Sequence, residues 1–273
     1  MDRPLKEIEF VIVDVETTGL SAQAGDRICE IAAMRVKDTA VLDVFHSLVN
    51  PQRPISFGAF EVNHITEEML EDAPISTTVL PAFLDFIRGG CLVGYNVSFD
   101  LGFLTNELAF CGKQLSQAIG VVDVLKMARR LLPTIGRYPL WYVAQTLNIS
   151  NPQKHRALAD VALTKQVFTL LLEKALAKGI VSFANLHSLF GTNRDLNTDL
   201  NQDKLSAIQE AIAIEKQLSI KYFSSKSSEV TERNVTPKEI VKDGGYYFLK
   251  GYCHLRGEER SFRIDRVMQL EIV

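Results

Sequence analysis

No apolar run in this 273-residue chain approaches the roughly 18 residues that a membrane-spanning helix needs, so no membrane association is expected. Cysteine is scarce and scattered: Cys29, Cys91, Cys111 and Cys253 form no C-x-x-C pair and show no zinc spacing. Reduced thiols in a cytoplasmic protein fit that usage. The opening Met1-Asp2-Arg3-Pro4 leads into a charged segment without a signal-peptide core, which gives the same expectation. Positive charge is not in excess either. A formal net charge of −3 argues against a protein that coats nucleic acid through charge alone, though not against an enzyme that grips a few phosphates through metal ions. There is no internal repeat and no low-complexity tract.

What the chain does have is apolar residues, 47% of the total, enough for one large domain or two smaller ones. Phe10 to Val15 is a short, β-branched apolar run that reads as a buried central strand. Alternation over 29–36 and 41–48 adds two strands, and Cys91-Leu92-Val93-Gly94 reads as another buried one. Helical periodicity appears over 77–88, 98–111, 122–132, 139–147 and 156–177. This order of elements predicts an α/β mixed sheet with helices on both faces. Near residue 190 Asn, Asp, Thr and Gly take over, which is loop chemistry. Beyond it come a helix over 204–216 and β-patterned segments over 217–223, 229–235, 245–253 and 260–272. The expected division is therefore a domain over 1–185, a polar linker over 186–203 and a small β domain over 204–273.

Acids mark the chemistry. Residues two apart in a strand share a face, so Asp14 and Glu16 lie side by side on the parity of Phe10 and Ile12. Like charges at the end of a buried strand repel and lose hydration, and a divalent cation is the simplest compensation. Taken alone, the pair could also be solvated loop acids. Asp100 follows the strand at 91–94, where ligand crevices open in α/β folds. Asp160 shares the inward stripe of its helix with Ala157, Val161 and Thr164. His155 stands near that helix's start; on its own, a lone histidine is more often structural than catalytic.

Three segments carry a resemblance: Val13-Asp14-Val15-Glu16-Thr17-Thr18-Gly19-Leu20, Gly94-Tyr95-Asn96-Val97-Ser98-Phe99-Asp100 and His155-Arg156-Ala157-Leu158-Ala159-Asp160. They resemble, in order, the motifs of the DEDDh family of 3′→5′ exonucleases, which includes the proofreading subunit of bacterial DNA polymerase III. The likeness spans residues 7–175. Val62-Asn63-His64-Ile65-Thr66 is similar to the family's histidine-containing loop but lacks the glycine that usually follows. The resemblance implies a ribonuclease H-like fold, with Asp14, Glu16, Asp100 and Asp160 holding two Mg²⁺ or Mn²⁺ ions and His155 as general base. It puts Thr17 and Leu20 against the terminal nucleotide and Asn96 and His64 near the substrate backbone. Leu20 reads equally well as ordinary core. Trp141 and Tyr142 read as core before base stacking.

The tail resembles a WYL domain, an SH3-like β-barrel, through Ile220-Lys221-Tyr222, Thr231 to Pro237, Gly245 to Leu249 and Arg260 to Val267. Tyr246-Tyr247-Phe248 replaces the eponymous triplet. Arg256, Arg260, Arg263 and Arg266 are the tail's candidate phosphate ligands, against the alternative of a solvated strand face offset by nearby acids. The functional expectation is an exonuclease acting on nucleic acid, single-stranded DNA before RNA, with a replication or repair protein as a further partner through the tail. The rival is a catalytically silent nucleic-acid-binding regulator, but no acid and no histidine of the motifs is missing.

Overall fold

Phe10-Val11-Ile12-Val13 is apolar on both parities, and such a strand must be covered on both faces. In the computed structural model it is. Residues 3–115, 120–150, 155–192, 194–224 and 227–273 are described, with backbone alone for 194–200. The first sheet comprises β1 (Glu9–Thr17), β2 (Ile28–Lys37), β3 (Ala40–Leu48), β4 (Cys91–Gly94) and β5 (Val121–Asp123). Its order is β3-β2-β1-β4-β5, antiparallel from β3 to β1 and parallel from β1 to β5. The helices of this part are α1 (Phe57–Asn63), α2 (Glu67–Leu70), α3 (Ser76–Ile87), α4 (Ser98–Phe110), α5 (Val124–Leu131), α6 (Leu140–Thr146), α7 (Ala157–Ala177) and α8 (Phe183–Phe190).

Strand parity sorts the core. Val11, Val13 and Val15 pack with Val79 and Phe83 of α3 and Leu104 of α4. Phe10 and Ile12 pack on the opposite face with Met127 of α5, Val161 and Phe168 of α7 and Leu189 of α8. Asp14 and Glu16 continue that second parity, so the strand's own alternation aims them at the α7 side.

The tail holds α9 (Arg194–Ala213) and a second, antiparallel sheet of β6 (Leu218–Ser224), β7 (Glu229–Asp243), β8 (Tyr246–Cys253), β9 (Glu258–Arg263) and β10 (Val267–Ile272). Its order is β10-β6-β7-β8-β9. The edges β9 and β10 are consecutive in sequence, joined by a 3-10 turn over Ile264–Arg266, and no pairing between them closes the sheet among the described residues. Ile208 and Ala211 of α9 cover Leu218, Val235, Leu249 and Phe262. The sheet also reaches the first core: Phe223 and Met268 join it, and the Phe190 and Phe223 rings meet edge-on at 6.3 Å.

Several expectations change. The stretch read as loop is helix from Arg194 on, because Leu205, Ile208 and Ile212 give α9 an apolar stripe that the polar residues before them extend; Asn193 lies outside the described residues. Phe183–Phe190 is a buried helix, capped by Ser182, whose hydroxyl accepts from the Asn185 N–H. β5 has only three residues, too few for periodicity to register, and it takes up the first part of the helix expected over 122–132, which starts at Val124 instead. The segment 260–272 breaks at the 3-10 turn. Trp141 is about one-third exposed rather than internal, with the Arg137 guanidinium over its ring at 5.0 Å.

Candidate active site

β1 and β4 pair only from Phe10 to Ile12 with Cys91 to Val93. Beyond that point the strands part, and the Val15 N–H is donated to Asp100 Oδ1 at 3.1 Å instead of to β4. The split opens a crevice at the carboxyl ends of the parallel strands, where open α/β sheets take their ligands. Gly94 lets the chain turn there, because a Cβ would sit 2.7 Å from Val97 Cγ2 and 3.3 Å from the Val13 carbonyl. Asp14 and Glu16 enter the crevice from β1, and Asp160 enters from the first turn of α7. One carboxylate oxygen from each of these three lies within 4.8 Å of the other two. Asp100, 3% exposed, stands next to them with Oδ1 committed to the Val15 N–H. It is not part of the three-acid cluster.

Crowding and burial make ionisation costly here. Burial first, then the charges of Asp100, Glu16 and Asp160, pushes Asp14 well above the usual carboxylate range. Glu16 is raised to about 8, by burial and then by Asp160 and Glu30. Burial also lifts Asp100 to about 7, opposed by the Val15 N–H, and lifts Asp160, opposed by His155. Hard cations take carboxylate oxygens at about 2.0–2.1 Å, so ligand oxygens sit roughly 3–4 Å apart around one ion. An all-oxygen set already within 4.8 Å, short of positive charge, suits a hard divalent cation.

Glu30 escaped the sequence reading. It pairs across from Glu16 on β2 and is 1% exposed. Its carboxylate accepts from Arg156 Nε (3.1 Å) and Nη2 (2.9 Å), from the Ala157 N–H (3.1 Å) and lies 2.7 Å from His46 Nε2. Burial works to raise its pKa, but those bonds win and hold it below the ordinary glutamate value. Glu30 thereby clamps the start of α7, the segment that carries His155 and Asp160. The available signal was a lone acid inside Ile28-Cys29-Glu30-Ile31-Ala32-Ala33.

His155 is exposed beside the cluster, its backbone N–H donated to Asp160 Oδ2 at 3.2 Å. Its φ of 57° is left-handed, as are those of Asn96 (61°) and His64 (55°). Left-handed backbone is costly at non-glycine residues, and Asp38, Gln52, Asn148, Glu215 and Ser228 adopt it too, so the conformation alone does not mark the site. Asn96 is exposed with its N–H donated to Asp123 Oδ1, and His64 is exposed at the end of α1. Thr17 is buried, its hydroxyl donated to the Gly19 carbonyl at 2.6 Å. Leu20 is 87% exposed, which removes the core reading. Gly19 gives the loop its shape, because a Cβ would meet the Asp26 carboxylate at 2.3 Å. The four tail arginines do not form one group. Arg256 and Arg260 are exposed, the latter paired with Glu258, whereas Arg263 is paired with Asp265 and Arg266 is half-buried.

Two family descriptions match the chain: "Exonuclease" over residues 11–168 and "WYL domain" over 203–272. The chain is 34% identical over 211 residues to a PolC-type DNA polymerase III of Caldanaerobacter subterraneus subsp. tengcongensis, covering 77% of this chain and 14% of that protein. Against the PolC-type DNA polymerase III of Bacillus subtilis it is 36% identical over 189 residues, 69% of this chain and 13% of the relative. It thus spans about a seventh of the curated relatives it matches. Among solved structures, Exonuclease X in complex with 5′ overhanging duplex DNA aligns at 29% identity with a TM-score of 0.50, over 63% of this chain and 95% of that one. E. coli Exonuclease I in complex with a dT13 oligonucleotide shares the fold, with a TM-score of 0.61 at 17% identity over 89% of this chain and 55% of that one.

Proposed function

The chain belongs to the exonuclease family, and from that premise we propose that it removes nucleoside monophosphates from the 3′ end of nucleic acid, with single-stranded DNA the favoured substrate. The observation that carries this reading is the convergence of Asp14, Glu16 and Asp160 within 4.8 Å in the crevice between β1 and β4. Asp14, Glu16, Asp160 and, after a side-chain turn, Asp100 would hold two Mg²⁺ or Mn²⁺ ions, which supply Lewis-acid stabilisation of charge on the attacking and leaving oxygens.

The protein's own groups supply the rest. A ring nitrogen of His155 takes the proton from the attacking water, since the ring is exposed beside the acids and its backbone is tied to Asp160. Glu30 and Arg156 fix the α7 start, so the histidine and Asp160 keep their spacing. Leu20 offers an apolar surface to the terminal base, the loop of Thr17 and Gly19 fixes that base's seat, and Asn96 and His64 line the approach of the strand. We propose a catalytic unit over 1–185 and a WYL-like unit over 204–273, bridged by α8 and the start of α9 rather than by a loop. A sheet whose two edges are joined by one 3-10 turn supports an SH3-like roll for the second unit. That unit is also the surface we assign to a replication or repair protein partner. Side-by-side digestion of single-stranded DNA, duplex DNA and RNA with Mg²⁺ or Mn²⁺ tests the reading: single-stranded DNA should shorten fastest from its 3′ end. Digestion of RNA alone would overturn the substrate assignment.

A further inference from the structure

Where the two sheets meet, α5, α8, α9 and the 3-10 turn over Ile264–Arg266 crowd positive charge into a half-buried place. Lys126 and Arg130, four residues apart, share one face of α5. Lys126 Nζ donates to the Gly191 carbonyl at 2.8 Å, and Arg130 donates to the Leu189 carbonyl, both at the end of α8. The Ser188 hydroxyl donates to the Asp265 carbonyl at 2.8 Å, and Lys204 Nζ donates to the Val267 carbonyl at 2.5 Å, which brings the turn against the same helix end. Arg263 reaches Asp265 with two bonds, 3.0 and 2.5 Å, and lies 3.6 Å over the Tyr246 ring. Among the described residues, buried Arg266 Nε finds no hydrogen-bond partner, and neither does Thr192 Oγ1 beside Gly191.

Among the described side chains, the cations Lys126, Arg130, Arg263 and Arg266 lie around two carboxylates, Asp123 and Asp265, and Lys204 reaches the same Asp265. Asp265 is already spent on Arg263. The carbonyl contacts at the end of α8 use one donor each from Lys126 and Arg130, out of three and five. Desolvated positive charge without matching negative charge is unstable. Burial accordingly pushes Arg130 down to about 10 and Lys204 to about 8, and lowers Lys126. An anion beside Arg130 would also act on Lys126 and Arg266, whose charges bear on it.

We propose that this seam is a phosphate-binding site that takes the backbone of the nucleic acid on which the crevice acts. The choice of ligand rests on the functional reading above. β1, β4 and β5 are parallel, so Asp14, Asn96 and Asp123 follow one another along a single sheet edge. Two strand spacings, about 10 Å, separate β5 from β1. Lys126 stands just past the end of β5, so a strand with its 3′ end at the acids meets the seam by continuing along that edge.

The test uses the full chain in chelator and three ligands: a labelled dT20 strand, dTMP and inorganic phosphate. Lys126→Ala combined with Arg266→Ala should weaken strand binding about tenfold and flatten its salt slope by roughly 0.7 for each lost contact. Arg266→Lys should keep most of the slope, and Arg88→Ala, an exposed charge elsewhere, should change nothing. A loss confined to dTMP and phosphate would keep the phosphate site but make its ligand a free one. Equal affinities for all three ligands and an unchanged salt slope would overturn the proposal. If the double variant melts early, Arg266→Gln is scored instead. Failure of the wild type to digest DNA with Mg²⁺ or Mn²⁺ would remove the enzymatic reading and leave this binding comparison standing.

Discussion

Asp14 and Asp160 are 146 positions apart and share a crevice because strand parity aims one, and the first turn of α7 aims the other, at the same opening. Asp14→Ala or Asp160→Ala should abolish turnover, since each removes a metal ligand. His155→Ala should lower turnover about 10²–10⁴-fold with metal binding retained, read by kinetics alongside Mn²⁺ titration. Wild-type turnover in that variant would contradict its role as base. The raised acids also set a pH signature. Glu16, raised from 4.5 to about 8, and Asp100, raised from 3.8 to about 7, hold protons in the metal-free fold that the unfolded chain has released. Because the folded state binds more protons in that window, metal-free stability should fall as pH rises through it. A cation competes with those protons, so the rise in Tm on adding Mn²⁺ should be larger at pH 8 than at pH 5. An equal rise at both would contradict protonated acids at the site.

At the scale of elements, the start of α7 depends on one buried carboxylate, Glu30. Arg156→Ala would leave Glu30, among the described residues, with His46 and the Ala157 N–H. The cost should be about 2–3 kcal/mol in urea denaturation, less than for a fully buried pair because Arg156 is one-third exposed. Turnover should fall with it, and a stability change under about 0.5 kcal/mol would argue against the clamp. Much of the site could be read from sequence because each acid is attached to a pattern: Asp14 and Glu16 to an apolar strand, Asp160 to an apolar helical stripe. The Glu30 network could not, because its partners His46 and Arg156 come from β3 and the lead-in to α7. Nor could Asp100's turn toward the Val15 N–H, which exists only because β1 leaves β4 after Ile12. β5 and α8 were missed for shortness and for their position beside polar sequence. The first residues of α9 read as loop because they are polar and precede the apolar stripe that begins at Leu205.

Across the whole molecule, the tail sheet and the first sheet share one core through Phe190, Phe223 and Met268. Phe223→Ala should therefore cost about 3–5 kcal/mol and lower the unfolding midpoint of both parts together. Trp141, the chain's single tryptophan, reports the first part by fluorescence, while far-UV circular dichroism reports both. Two separate transitions, with the Trp141 signal unmoved by the substitution, would contradict a shared core. The crevice is tested most directly by a time course on a 5′-labelled single strand, with wild type and Asp14→Ala compared in Mn²⁺ and in chelator. Wild type in Mn²⁺ should give a ladder that shortens one nucleotide at a time from the 3′ end with release of nucleoside monophosphates, and the other three conditions should leave the strand intact. No shortening by wild type, or equal shortening by Asp14→Ala or in chelator, would contradict a metal-dependent exonuclease site built on Asp14, Glu16 and Asp160.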